Sequence, residues 1–266
     1  MYDDLFKQGN AQGITFVSST GDLGALSVPN IACFDPKATS KCGGFEVSVE
    51  IPASSPHVTG VGGTNLLTSL GPNVLDSKYV SEHAYGDPLA QDIFYGTPAT
   101  GGFWGSGGGI SIYFKKPGYQ HLVDTGSKKM RTVPDVSLHM GGCPVGSVQP
   151  CPEDRSYDLV AMDGAYYGVI GTSASSPDFA GLLALKIQMI GGRLGNENQV
   201  MYVMAHLQSL GVLRGIFHDN IPGFNGLYTT HKGYNLVLGN GTVNGVNYLL
   251  TPFMPVARTP QTPTNP

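Results

Sequence analysis

Charge is scarce in this sequence. Only 13% of its residues are Asp, Glu, Lys or Arg, about half the usual share of a globular chain. The 15 basic residues are outnumbered by 19 acidic ones, for a formal net charge of −4. No basic stripe appears, so the electrostatic footprint of a nucleic-acid binder is missing. No apolar run approaches the length that spans a bilayer, and neither nucleic acid nor membrane is an expected partner. Met1-Tyr2-Asp3-Asp4 is acidic and no apolar segment follows it, so no secretory leader opens the sequence. The four cysteines lack the C-x-x-C spacing of a zinc site. They fall in two close pairs, Cys33 with Cys42 and Cys143 with Cys151. These are either separate buried thiols or two local disulfides, and the second reading implies an oxidising compartment. A surface so poor in charge gains little self-repulsion as the pH falls, which is compatible with work in acid.

What the sequence has in excess is glycine, 38 residues, with 19 prolines besides. The glycines follow no G-x-y period, which excludes collagen and points to many tight turns and close backbone approaches. Apolar residues make up 41% of the 266, enough for one large α/β domain over residues 1–250. The pattern predicts a helix over 3–12 and a short strand over 14–17. A polar turn through Asp22 and a loop-rich stretch from 27 to 56 follow. It predicts a strand over 57–61 stopped by Gly62-Gly63, irregular chain over 65–100, and a strand over 131–137 broken by Pro134. An apolar strand over 166–170 precedes a long buried helix reaching Ile190, and another helix covers 198–210. The tail 251–266, rich in Pro and Thr, reads as frayed. Short strands alternating with helices predict an α/β fold with a largely parallel sheet.

The strongest chemical signal is Gly171-Thr172-Ser173-Ala174-Ser175-Ser176-Pro177. Glycine and small residues let the backbone turn sharply from strand into helix. Ser173 then sits where unpaired N–H groups and the helix dipole favour developing negative charge. Serine also starts helices merely as an N-cap, but a preceding apolar strand and a following apolar helix favour a nucleophile. A serine nucleophile needs a base. None of the seven histidines lies in an H-G-T or H-G-H context, which counts against an ordinary histidine-dependent serine hydrolase. The second signal is Ser18-Ser19-Thr20-Gly21-Asp22-Leu23-Gly24, an acid in a glycine-flanked turn that alone would pass for an Asx-turn.

Taken together, these two motifs resemble the sedolisins, the serine-carboxyl peptidases, with their S-G-D and G-T-S-x-x-x-P signatures. Further stretches match in the family's order. Pro52-Ala53-Ser54-Ser55-Pro56-His57-Val58 continues to Val61-Gly62-Gly63-Thr64. Gly105-Ser106-Gly107-Gly108-Gly109-Ile110-Ser111 comes next, followed by Pro117 with Tyr119-Gln120, and then Val133-Pro134-Asp135-Val136-Ser137. The resemblance implies a subtilisin-like three-layer fold, its mostly parallel sheet flanked by helices, secretion, and protein or peptide substrates cleaved in acid. It implies Ser173 as nucleophile, with Gly107, Gly108, Gly109 and Thr172 against the substrate. It makes Asp22 the neutral carboxyl that donates to the oxyanion, which a carboxylate cannot do. It also makes the base a carboxylate, since a histidine would be protonated near pH 4 and a glutamate, with a pKa of about 4.3, stays partly ionised.

The sequence departs from the family in two places. The family's Glu and Asp bases come from a helix well upstream of S-G-D, and no residue here occupies either position. The chain is thus expected to be truncated at its N-terminus, to depend on a second chain, or to be an inactive remnant. In the first two cases an unpaired strand edge is exposed. The family's single calcium site maps onto Asp219, Asn220, His231, Gly233 and Asn235. Asn235 replaces an aspartate, removing one negative charge from a site for a hard dication, so weaker calcium binding is expected.

Overall fold

A computed structural model describes residues 2–27, 46–69, 71–72, 76, 78–88, 103–141 and 158–251. Both cysteine pairs and the tail beyond 251 lie outside the described residues. The chain opens with α1 (Tyr2–Ala11), β1 (Val17–Ser19), β2 (Leu26–Ser27) and β3 (Glu46–Val47). Next come β4 (Thr59–Ser69), β5 (Lys78–Ala84), β6 (Gly86–Pro88), β7 (Phe103–Gly105) and β8 (Gly109–Lys115). A 3₁₀ turn at Gly118–Leu122 leads to β9 (Met130–Val133), β10 (Val136–His139), β11 (Asp158–Met162) and β12 (Ala165–Val169). The remainder is α2 (Thr172–Ile190), α3 (Asn198–Ser209), β13 (Phe217–His218), β14 (Thr242–Val243) and α4 (Gly245–Leu250).

The central sheet runs β1-β4-β10-β14-β13, with β5 also paired to β4. The pairs β1/β4, β4/β10 and β10/β14 are parallel, while β13 and β5 run antiparallel to their neighbours. This is the α/β class that the pattern of short strands and helices predicts. β1 ends the sheet among the described residues. One core packs Val61 and Val136 of the sheet against Phe179 and Leu183 of α2 and Met201, Tyr202 and Met204 of α3.

Two local expectations fail for a shared reason. The strand predicted to stop at Gly62-Gly63 runs on to Ser69 and turns back as β5, through residues expected to be irregular. Those glycines are buried in mid-strand because side chains of neighbouring segments fill the space above them. A Cβ on Gly62 would meet the Ser106 and Ser137 hydroxyls, and one on Gly63 would meet Met140. Pro134 separates two strands in different sheets, β9 paired with β8 and β10 in the central sheet. The hairpin partner of β12 is β11.

The residues around Pro134 hold the most heavily bonded ion pair. Arg131 and Asp135 are fully buried and meet through two contacts of 2.6 Å. Asp135 also accepts from Gly60 N at 2.8 Å and from the Tyr202 hydroxyl at 2.8 Å. Burial works against the Arg131 cation, but the Asp135 charge and hydrogen bonds, with Tyr119 and Tyr202, together outweigh it and keep the guanidinium protonated. Elsewhere, Lys186 of α2 pairs with Glu197 at the head of α3, and the Tyr248 hydroxyl donates to the same carboxylate. Breaking a buried pair by removing one partner costs far more than the pair contributes, because it strands a charge. Arg131→Met is therefore expected to lower unfolding free energy by about 3–5 kcal/mol. Adding Asp135→Asn should recover part of that loss, and urea denaturation of the single and double variants checks both.

Candidate active site

Strand β12 delivers the chain to Ile170, and Gly171 then turns it into α2. Gly171 adopts φ 117°, a conformation that glycine alone takes without strain. Its N–H donates to Met140 O at 2.9 Å, just past the end of β10, and Ala174 N closes the first turn on Gly171 O at 2.8 Å. Thr172, Ala174 and Ser175 are buried, whereas Ser173 between them is exposed. Pro177, fourth after Ser173, has no N–H to give the Ser173 carbonyl.

Asp22 arrives from the other side. β1 pairs in parallel with β4, and Thr20 N and Oγ1 both bond Val61 O, which fixes the turn that follows. Asp22 Oδ1 accepts from Thr172 N at 2.7 Å, across 150 positions of sequence. Thr172 Oγ1 accepts from Gly21 N at 3.1 Å. The spot that a Cβ on Gly171 would take lies 2.8 Å from Asp22 Oδ2 and 3.1 Å from Ser173 Oγ. Carboxyl and hydroxyl thus face one small space, kept open by the missing side chain. Burial raises the Asp22 pKa above its ordinary value, and the Thr172 hydrogen bonds offset part of that rise.

Thr172 and the glycine run, read from the resemblance as substrate contacts, are packed within the fold. The hydroxyl of Thr172 is buried and spent on the Asp22 turn. Gly107, Gly108 and Gly109 are buried too. A Cβ on Gly107 would overlap Thr20 O, one on Gly108 would overlap Leu236 O, and Gly107 N donates to Gly21 O at 2.8 Å. Thr172 and Gly107 brace the turn that carries Asp22.

Two acidic features escaped the sequence reading. Glu50 brings its carboxyl against Gly21, and burial together with the Asp22 charge raises its pKa. Nothing in the local pattern marks it, since the contact is made only by the fold. At the end of β10, His139 Nε2 lies 3.7 Å from Asp158 Oδ1, and Asp178 of α2 completes an acidic cluster. Burial and then the Asp178 charge push Asp158 up to about 6.

No family model matches the chain. Among curated proteins it is 30% identical over 240 residues to sedolisin from a Pseudomonas species, covering 90% of this chain. It is 26% identical over 264 residues to kumamolisin from a Bacillus species, and 27% identical over 254 to human tripeptidyl-peptidase 1. A solved structure of Pseudomonas sedolisin, a serine-carboxyl proteinase complexed with two molecules of pseudo-iodotyrostatin, matches 93% of this chain. The TM-score is 0.66 at 27% identity. The chain belongs to the sedolisin family. It spans 33% of the length of sedolisin, 38% of kumamolisin, 36% of the tripeptidyl-peptidase and 58% of the matched sedolisin structure.

The loop where a sedolisin calcium site is expected is well ordered by hydrogen bonds. Gly233 N donates to Asp219 O at 3.0 Å, while Asn220 and His231 are exposed. Asn235 is buried, and its Nδ2 donates to His231 O at 3.1 Å and Gly233 O at 3.2 Å. Those are two of the carbonyls that the sedolisin resemblance assigns to the ion. Asp219 is the single carboxylate in the expected ligand set, and the described residues hold no cluster of three or more His, Cys, Asp and Glu suited to a metal. An amide donor already engaged with ligand carbonyls does not fit a hard dication, which needs those lone pairs and more negative charge.

Asp22, Glu50, Asp158 and Asp178 all have raised pKa values. Each binds its proton more tightly folded than unfolded, so its stabilising contribution is complete in acid and lost as pH rises through the folded pKa. For Asp158 that window runs from 3.8 to about 6. Such a shift corresponds to about 3 kcal/mol for a wholly buried group, and partial exposure discounts it to about 1 kcal/mol. Urea midpoints should therefore fall between about pH 4 and 6.5, and Asp158→Asn should flatten the fall by about 1 kcal/mol.

Proposed function

We propose that this chain carries the nucleophile half of a secreted serine-carboxyl endopeptidase centre that works in acid on protein or peptide substrates. Ser173 Oγ bonds to the peptide carbonyl carbon, and the carbonyl π pair moves onto oxygen. The serine proton passes to a carboxylate, and the neutral Asp22 carboxyl donates a hydrogen bond to the oxyanion. One observation carries this reading: Asp22 Oδ2 and Ser173 Oγ converge on the space beside Gly171. The raised Asp22 pKa supports it, because the donor must hold its proton at the working pH.

The base belongs, on this reading, to a polypeptide segment outside these residues. Support comes from the later part of α2, residues 179–190, which is apolar except at Lys186 and Gln188 and leaves apolar side chains exposed. Leu185 is 51% exposed and Met189 53%. Apolar helix surface is ordinarily covered, and β1, the neighbouring sheet edge, pairs only with β4 among the described residues. A segment adding a strand to β1 and a helix across α2 would cover both and could bring a carboxylate to Ser173. The same face favours a second reading, a domain that binds a polypeptide there and turns nothing over.

Peptide hydrolysis near pH 4 separates the two, assayed on the chain alone and mixed with the amino-terminal half of a sedolisin catalytic domain. Turnover should need the added half, vanish with Ser173→Ala, and fall by about 10²–10³-fold with Asp22→Ala, the cost of one oxyanion donor. Equal rates for the chain and Ser173→Ala under both conditions, with the added half still bound, would leave the binding reading.

A further inference from the structure

We infer that Asn235 does the work of the cation in this chain's version of the sedolisin calcium loop, so that the loop holds its shape without metal. The argument is independent of whether Ser173 is catalytic. A calcium ion in such a loop has one structural task, to gather carbonyl oxygens that would otherwise repel each other. Asn235 Nδ2 gathers two of them, His231 O and Gly233 O. Its orientation is fixed from the opposite side, where Oδ1 accepts from Val237 N at 3.1 Å and Leu238 N at 2.9 Å. Flipping the amide would set two N–H donors against two others and oxygen against two carbonyls. The main chain of Asn235 adds a reciprocal pair with Gly239, 3.0 and 2.9 Å. Every polar group of this residue, 2% exposed, is thereby bonded.

The loop is not a detached appendage. It lines a cavity of about 560 Å³ that also takes in Asp124, Gln208 and Phe217. Gln208 Oε1 accepts from Ile216 N and Phe217 N, so the end of α3 is braced on the strand that leads into the loop. Asn240, five positions after Asn235, donates twice to Asp135 O at 2.9 Å. The amide closure therefore sits one short step from the buried Arg131–Asp135 pair. An aspartate at 235 could keep the two Oδ1 bonds but could not donate to the carbonyls, and its charge would need an ion.

Thermal unfolding of the full chain, in excess chelator and in millimolar calcium, tests this directly. The wild-type midpoint should not move between the two, and calorimetric titration with calcium should give no binding heat. Asn235→Asp should melt about 5 °C lower in chelator and recover with calcium, the shift expected when a millimolar ligand well above its Kd replaces two hydrogen bonds. Asn235→Ala should melt lower in both and ignore calcium. A wild-type midpoint that drops on chelation, or micromolar calcium binding by the wild type, overturns the inference. So does an Asn235→Asp variant that folds as stably as the wild type without calcium. Should Asn235→Asp fail to fold at all, the wild-type titration decides alone.

Discussion

The bidentate contact between Arg131 and Asp135 is the constraint on which the rest of this molecule is hung. It is buried completely, and it is surrounded by groups from nearly every part of the core. Arg131 also reaches the carbonyls of Thr132, Ala53 and Val58. Asp135 takes Gly60 N from β4 and the Tyr202 hydroxyl from α3, and its carbonyl takes Asn240. A buried charge pair is weak ground for overall stability, since its desolvation offsets most of its attraction. What it contributes here is placement. It sets β4 against β10, and those strands feed the two arms of the site. β4 holds Thr20 and through it the Asp22 turn, while β10 leads to Met140, whose carbonyl receives Gly171 N ahead of Ser173. Two residues 150 positions apart, Asp22 and Thr172, can then bond at 2.7 Å because the sheet between them has one register.

Much of this was legible in the sequence, and the misses have a common cause. The turn at Asp22 and the strand-to-helix turn at Ser173 announce themselves by glycine beside small polar residues. The apolar run through Ile190 announces its helix. Gly62-Gly63 misled, because a glycine required by neighbouring side chains looks the same on paper as one that ends a strand. Pro134 was read as a break within one strand, and it stands between two strands of different sheets. Glu50 stayed hidden, since its partner across the fold is Gly21, a residue without a side chain to suggest a match. Each miss concerns what occupies space from elsewhere in the chain, which local pattern does not encode.

The open face of α2 and the reduced coverage of sedolisin-family relatives belong together. In the matched sedolisin structure 42% of the chain has no counterpart here, the complement of the 58% that aligns. Of the apolar side chains left uncovered on α2, Leu185 and Met189 are four residues apart and share one face. Covering them would take apolar surface of α2 out of water, which favours association. Burial of α2 and assembly of the chemistry are, on the proposed reading, a single event.

The closure of the loop at Asn235 bears on the same chemistry from a different direction. A site built on two carboxylates holds calcium only while both are ionised, and protons compete with the metal for them. The proposed oxyanion donor asks for the opposite condition, an Asp22 carboxyl that keeps its proton, which burial promotes. A chain working where Asp22 is neutral would work where carboxylate ligands are weakest. An asparagine amide does not titrate, and the hydrogen bonds it donates to His231 and Gly233 are indifferent to acid. On the inferred reading of the loop and the proposed reading of the site, Asn235 in place of an aspartate holds the loop beside the Arg131–Asp135 core without an ion and apart from the proton equilibrium at Asp22.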